Sequence, residues 1–203
     1  LSGGIIDGVI PCAGLVHSNA KTVSVNFFGV TEFLTELLPT LKNSLAPRVA
    51  ITSSMASLLP NSPELVNAML ANDEAGALVI AQGLVDQGPE KAGLIYGSTK
   101  RALSRWVRRE CIKSEWAGAG IPLNAVGPGI VETPMVAKMI ATAESRAAID
   151  AMVPMPLNYY LKARQVSYLL AWLTSEENTH TTGQTVYIDG GSDASIRGDN
   201  IWS

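Results

Sequence analysis

Tyr96 and Lys100 stand four residues apart in the segment IYGSTKRAL, which has the pattern of a helix start. Four residues make about one helical turn, so the two side chains share a face. A phenol is a weak acid with a reference pKa of about 10, and a nearby cation favours its ionised form. This pair could therefore exchange a proton with an alcohol or ketone oxygen. The spacing is common by chance, so neighbouring motifs must support it.

The elements that position this pair alternate between strands and helices. Short apolar runs predict buried strands at residues 8–10, 49–53, 123–126 and 184–188. Amphipathic runs predict helices at 22–38, 96–116 and 164–175, with an end or kink near Pro39 and two short helices within 58–92. This order predicts an α/β fold, a doubly wound parallel sheet with helices on both faces.

Ligands bind beyond the carboxyl ends of the strands in such a sheet. Ser54 ends the second strand, and its hydroxyl could bind a substrate oxygen held by Tyr96. Alternatively, it bonds only its own backbone. Asn26 lies inside a predicted helix, where asparagine is unfavourable. It either faces solvent or points inward and holds a water near Lys100.

Two segments could shape a substrate site. Residues 135–157 are predicted to form a mobile flap over an apolar pocket, since Met135, Met139, Met152 and Met155 are adaptable side chains. These methionines could equally be ordinary core residues. The helical insert at 58–92 is rich in leucine, valine and isoleucine, and it could be a lid or could pack against a partner subunit.

Composition excludes several functional classes. The chain has 203 residues, 47% hydrophobic and 16% charged, which suits a single domain over 1–203 with strands buried on both faces. Its net charge of −3 and lack of a basic tract argue against nucleic acid, and no apolar stretch is long enough to cross a membrane. Cys12 and Cys111 have no metal-ligand spacing, so we expect no metal and reduced thiols in the cytoplasm.

Taken together, these motifs resemble the short-chain dehydrogenase/reductase family, which implies a Rossmann-like fold. The matching segments are DGVIPCAG at 7–14, VNFFG at 25–29, ITSSMAS at 51–57, YGSTK at 96–100, LNAVGPGIVETPM at 123–135 and TGQTVYIDGG at 182–191. Within the family, the chain is most similar to the bacterial 3α-hydroxysteroid dehydrogenase/carbonyl reductase group. CAGL after the first strand, SVNFFGVTE, and the long insert before Tyr96 carry that similarity.

The resemblance implies a catalytic tetrad of Asn26, Ser54, Tyr96 and Lys100. Tyr96 would be the acid/base, and Ser54 would position and polarise the carbonyl. Lys100 would lower the pKa of Tyr96 and hold the nicotinamide ribose, while Asn26 would anchor a water of the proton relay.

The resemblance also implies NAD or NADP as cofactor, with NAD favoured, carrying a hydride to or from a carbinol carbon. The further residues expected along this cofactor are Ala13, Gly14, Pro128, Gly129, Val131 and Thr133. The expected partner is a small hydrophobic secondary alcohol or ketone, with hydroxysteroids the implied type. Two alternatives stay open: a non-catalytic binding or scaffold protein, and an epimerase or dehydratase that uses the same tyrosine and lysine.

Two features depart from the family pattern. Asparagines are usual where this chain has Pro11 and Cys12, which bears on the stability of the sheet. No GxGxxG or GxxxGxG turn occurs in the sequence, so we expect the complete gene product to carry an upstream segment of about 50–60 residues with that turn and three more strands. Because the insert precedes the Tyr96 helix, where many relatives form tetramers, we expect a homodimer.

Overall fold

A four-stranded parallel sheet forms the centre of the computed structural model, which describes residues 4–201. Its strands lie in the order β1-β2-β3-β6, and all neighbours run parallel. They are β1 (Gly8–Val9), β2 (Arg48–Thr52), β3 (Leu123–Pro128) and β6 (Thr185–Ile188). A separate parallel pair joins β4 (Val131–Glu132) to β5 (Leu161–Lys162).

Helices cover both faces of the sheet. They are α1 (Ala20–Val23), α2 (Gly29–Leu41), α3 (Pro63–Leu70), α4 (Glu74–Asp86), α5 (Pro89–Ala92), α6 (Leu94–Glu110), α7 (Ala143–Met152), α8 (Ala163–Leu173) and α9 (Ser192–Arg197). Side chains alternate along a strand, so Val49 and Ile51 join the core beneath α2 and α6, while Ala50 packs with Val166 and Leu170 of α8. This arrangement confirms the predicted α/β fold.

The helix predicted over 22–38 is three consecutive helical segments. A π-helical turn, Ser24–Phe28, separates α1 from α2. The sequence predicts an end or kink near Pro39, and α2 ends two residues later, at Leu41. Pro39 lies in the last turn, where its missing N–H removes only one bond of the helix.

Two other predicted boundaries differ from the structure. The helix predicted to reach residue 116 ends at Glu110, and the chain then turns back to bury Trp116 edge-on against Trp106, with ring centroids 6.0 Å apart. The third strand does not break at residue 127. It extends to Pro128, because Gly127 and Pro128 pair with the last residues of β6.

The insert at 58–92 forms three helices rather than two, and it belongs to the same core as the sheet. α3 packs along α6, and α4 packs against α1 and α3. Leu65, Val66 and Met69 of α3 are fully buried in the cluster that contains Leu103 of α6. The body of the insert is therefore a layer outside α6, and only its ends approach the carboxyl edge of the sheet.

Two kinds of feature are not found between residues 4 and 201. No helix in this part of the chain is long and apolar enough to span a membrane. The same residues hold no group of three or more histidine, cysteine, aspartate or glutamate side chains that could ligate a metal.

Candidate active site

A cavity of about 690 Å³ opens at the carboxyl ends of the strands, as the sheet topology predicts. It is lined by the loop after β1, the turn after β2, the end of β3 and one face of α6. The predicted site residues that line it are Gly14, Ser54, Tyr96, Lys100, Pro128, Gly129, Val131 and Thr133. Ala13 is exposed outside the cavity wall, and Asn26 lies buried behind the wall.

Tyr96 and Lys100 share one face of α6, with the Lys100 Nζ 5.8 Å from the centroid of the Tyr96 ring. Gly97, between them, lets α6 lie directly against the turn after β2. A Cβ at this position would come within 3.1 Å of the Ala56 carbonyl oxygen and 3.2 Å of the Pro60 carbonyl oxygen. Gly97 is thus a site residue that the tyrosine–lysine spacing alone does not reveal.

Ser54 combines both roles that the sequence leaves open. Its side chain caps the 3₁₀ turn Met55–Leu58 by accepting a hydrogen bond from the Ala56 N–H at 3.1 Å. The same hydroxyl acts on the phenol of Tyr96 and lowers the pKa of Tyr96. Burial of the phenol is the larger influence, and the pKa of Tyr96 is raised above its ordinary value.

Burial and the Ser54 hydroxyl act on the pKa of Tyr96, and the expected lowering by Lys100 stays a prediction. The Lys100 ammonium donates a hydrogen bond of 2.9 Å to the Thr52 carbonyl. Only 4% of Lys100 is exposed, and burial lowers its own pKa to about 8, with the nearby Cys12 acting in the opposite direction. The phenol is therefore a protonated acid near neutral pH.

Asn26 points inward from the π-helical turn and is fully buried. Its Oδ1 accepts the Leu15 N–H at 2.7 Å, and its Nδ2 donates to the Leu15 carbonyl at 2.8 Å and to Thr99 Oγ1 at 3.2 Å. Most of the bonding capacity of the amide is thus used to hold the loop after β1. The expected water contact would have to use the remaining lone pair or the backbone of Asn26.

The polar end of the cavity fits a flat ligand that carries hydroxyl groups. Within residues 4–201 the Lys100 ammonium donates one hydrogen bond, to the Thr52 carbonyl. An ammonium has three N–H donors, so two remain for a ligand. A Cβ on Gly14 would lie 3.5 Å from Asn26 Oδ1 and 3.7 Å from Lys100 Nζ, and glycine leaves this space empty. A ligand can therefore approach this backbone closely. The cavity also falls within the roughly 300–1,000 Å³ typical of cofactor and small-molecule sites.

The other end of the cavity is apolar. Met135, Met139 and Met152 line it, whereas Met155 packs against Gly190 instead. Further parts of the apolar wall come from both ends of the insert, from the end of α7 and from α8, through Leu59, Pro60, Gly93, Ile149, Val153, Val166 and Leu170. Three of the four methionines therefore line the cavity, as predicted for a substrate pocket, and the fourth packs as an ordinary structural residue.

Comparison with known proteins agrees with this site. A family model described as Enoyl-(Acyl carrier protein) reductase matches residues 6–193. The chain is 33% identical over 197 residues to the 3-alpha-hydroxysteroid dehydrogenase/carbonyl reductase of Comamonas testosteroni, covering 95% of this chain and 74% of that protein.

Solved structures show the same fold. The 3-alpha-hydroxysteroid dehydrogenase from Pseudomonas sp. B-0831, complexed with NADH, is 34% identical with a TM-score of 0.83, covering 96% of this chain and 76% of that one. ElxO with NADP bound is 23% identical with a TM-score of 0.68, covering 94% and 68%, and this likeness concerns the fold alone.

The fold is that of an α/β oxidoreductase, with the cavity at the carboxyl ends of the parallel strands. The chain belongs to the short-chain dehydrogenase/reductase family, NAD(P)-dependent oxidoreductases that act on CH–OH groups. The family predicted from the motifs is confirmed.

Proposed function

We propose that this protein transfers a hydride between NAD(P) and a hydrophobic secondary alcohol or ketone, of which hydroxysteroids are the favoured type. The observation that carries the proposal is a half-buried phenol, a hydroxyl and a buried ammonium at one end of a cavity whose other end is apolar. The name of the Comamonas relative supports the substrate class.

The proposed chemistry uses the four residues that the motifs single out. In ketone reduction, Tyr96 donates its phenolic proton to the carbonyl oxygen, and burial keeps that proton in place at neutral pH. Ser54 donates a hydrogen bond to the same oxygen and polarises the carbonyl. Lys100 binds a ribose hydroxyl with its free N–H donors, and Asn26 fixes the loop beside it.

A nicotinamide cofactor, when bound, supplies the hydride. The residues proposed to hold it are Ala13, Gly14, Tyr96, Lys100, Pro128, Gly129, Val131 and Thr133. We propose NAD rather than NADP, since the 34% identical Pseudomonas enzyme is complexed with NADH. The segment 135–157 would close over the substrate, with Met135, Met139 and Met152 adapting to its shape.

We also propose that residues 1–203 act as one domain in a cytoplasmic homodimer. Both cysteines of the described chain are free thiols, which suits a reducing compartment. The insert covers the outer face of α6 through α3 and α4, and this supports assembly through another face. Light scattering should give the mass of a dimer, and a stable tetramer would contradict it.

The function is tested by following nicotinamide absorbance while the protein turns over a 3-ketosteroid, an aromatic ketone and a small aliphatic ketone with NADH or NADPH. We expect net oxidation of NADH with the two larger ketones. Ser54→Ala serves as the comparison and should turn over the same ketones more slowly. Cofactor binding without turnover of any ketone would favour the scaffold alternative. An isomerised or dehydrated product without net change in NAD(P)H would favour the epimerase or dehydratase alternative.

A further inference from the structure

The 3₁₀ turn Met55–Leu58 supports Ser54, and Ser57 is its most firmly held residue. Ser57 is only 1% exposed, although it is polar. Its N–H donates to the Ser54 carbonyl at 3.1 Å, and this bond links Ser57 directly to the backbone of Ser54.

Tyr187 holds Ser57 from strand β6. The two hydroxyl oxygens are 2.8 Å apart, although the residues are separated by 130 positions in sequence. The Tyr187 ring passes over Gly127, its register partner on β3. A Cβ on Gly127 would lie 2.5 Å from Tyr187 Cδ1, so the ring takes this path only because residue 127 is glycine. The same Cβ would lie 3.5 Å from the backbone carbon of Ser54.

Arg101 holds the same turn from helix α6. Its Nε donates to the Ser57 carbonyl, and it directly follows Lys100. Ser57 is thus hydrogen-bonded through its carbonyl to α6 and through its hydroxyl to β6. Strand β6 lies at the opposite edge of the sheet from β1.

We propose that Tyr187 is a positioning residue that acts through Ser57 to hold Ser54 against Tyr96. Its effect on turnover rests on the proposed function, whereas the mechanical link from β6 to the Ser54–Tyr96 contact does not. Loss of the Tyr187 hydroxyl would remove the hydrogen bond of the Ser57 side chain and leave Ser57 held only through its backbone, by Arg101 and by the Ser54 carbonyl. The Ser54 hydroxyl would then sample orientations that miss the phenol.

Stability alone cannot separate this role from simple packing. Either role predicts a less stable Tyr187→Phe variant, because the buried Ser57 hydroxyl loses its partner. A positioning role also predicts a changed environment at Tyr96, and it predicts that the change requires Ser54.

The primary experiment therefore records the Cζ resonance of Tyr96 by NMR in protein labelled with [¹³Cζ]tyrosine, with the signal assigned by its loss in Tyr96→Phe. Ser54→Ala should move this resonance, because the phenol loses its interaction with the Ser54 hydroxyl. Tyr187→Phe and Ser57→Ala should move it in the same direction. Tyr168→Phe, at an exposed position on α8, should leave it in place. Ser57→Ala keeps the test available if Tyr187→Phe does not fold.

A kinetic arm then measures kcat for ketone reduction. Tyr187→Phe should lower kcat about tenfold, a loss typical of a slightly misplaced catalytic group, with the KM for cofactor unchanged. In a Ser54→Ala background, adding Tyr187→Phe should lower kcat no further.

The proposal is overturned if the Tyr96 resonance is unmoved in both Tyr187→Phe and Ser57→Ala, or if the loss in kcat persists undiminished without the Ser54 hydroxyl. A resonance that moves as expected in a protein that reduces no ketone would uphold the positioning link and reject the proposed function.

Discussion

Replacing Lys100 by methionine should make the protein more stable at neutral pH while removing its activity. Lys100 is 4% exposed, and burial lowers its pKa from 10.5 to about 8. That difference corresponds to roughly 3 kcal/mol that the folded state loses by keeping the ammonium charged. Methionine has a similar length but gives up the bond to the Thr52 carbonyl, about 1.5 kcal/mol. The variant should therefore be about 1–2 kcal/mol more stable at pH 7.

The pH dependence gives this prediction its sign. Below pH 8 both the folded and unfolded states hold the Lys100 proton, and the destabilisation is fully present. Between about pH 8 and 10.5 the unfolded chain binds more protons than the folded protein, so the stability of the wild type rises with pH. Across this window the free energy of unfolding of the wild type should rise relative to that of Lys100→Met by up to roughly 3 kcal/mol.

Urea unfolding followed by tryptophan fluorescence, which the buried Trp116 makes sensitive to folding, measures this effect between pH 7 and 10. Lys91→Met, at an exposed position on α5, is the control and should follow the wild type at every pH. Parallel stability curves for the wild type and Lys100→Met would refute the reasoning, since they would mean that burial does not perturb this lysine.

Three further predictions concern the supports of the site. Asn26→Ala should lower the free energy of unfolding by about 2–3 kcal/mol, because the half-buried Leu15 N–H and carbonyl lose their hydrogen-bond partner. Asn26→Asp should lower it by less, and an unchanged urea midpoint in Asn26→Ala would contradict the prediction. Gly97→Ala should lower kcat several-fold, because its Cβ would lie 3.1 Å from a carbonyl oxygen of the 3₁₀ turn. The control Gly83→Ala, whose Cβ would meet open space, should leave kcat unchanged. Because burial raises the pKa of Tyr96, ketone reduction should hold steady through neutral pH while alcohol oxidation rises with pH; a reduction rate that rises with pH would count against a phenolic acid.

The place and main residues of the cavity could be predicted because they depend on short-range patterns. Strand ends and a one-turn spacing are visible in a single sequence, and the sheet brings Gly14, Ser54, Pro128 and Gly129 to one edge. Ala13 was expected beside them but is exposed outside the wall, because adjacent loop residues face different ways.

The supports of the site could not be predicted, since they depend on contacts between distant segments. The apolar spacing around Asn26 predicts an α-helix, and it does not reveal the π-helical turn that the structure has there. Tyr187 meets Ser57 across 130 positions, and only the sheet register reveals that glycine at residue 127 leaves room for the ring. The direction of the Tyr96 pKa likewise follows from burial, which the spacing of Tyr96 and Lys100 does not encode.

The central claim is that the phenol of Tyr96 exchanges a proton with the substrate oxygen. The most direct test compares single-turnover ketone reduction by the wild type and Tyr96→Phe, each saturated with cofactor. We expect the rate to fall at least about a hundredfold, as for loss of a positioned acid, with cofactor affinity nearly unchanged. A variant that kept more than about a tenth of the wild-type rate would contradict the claim.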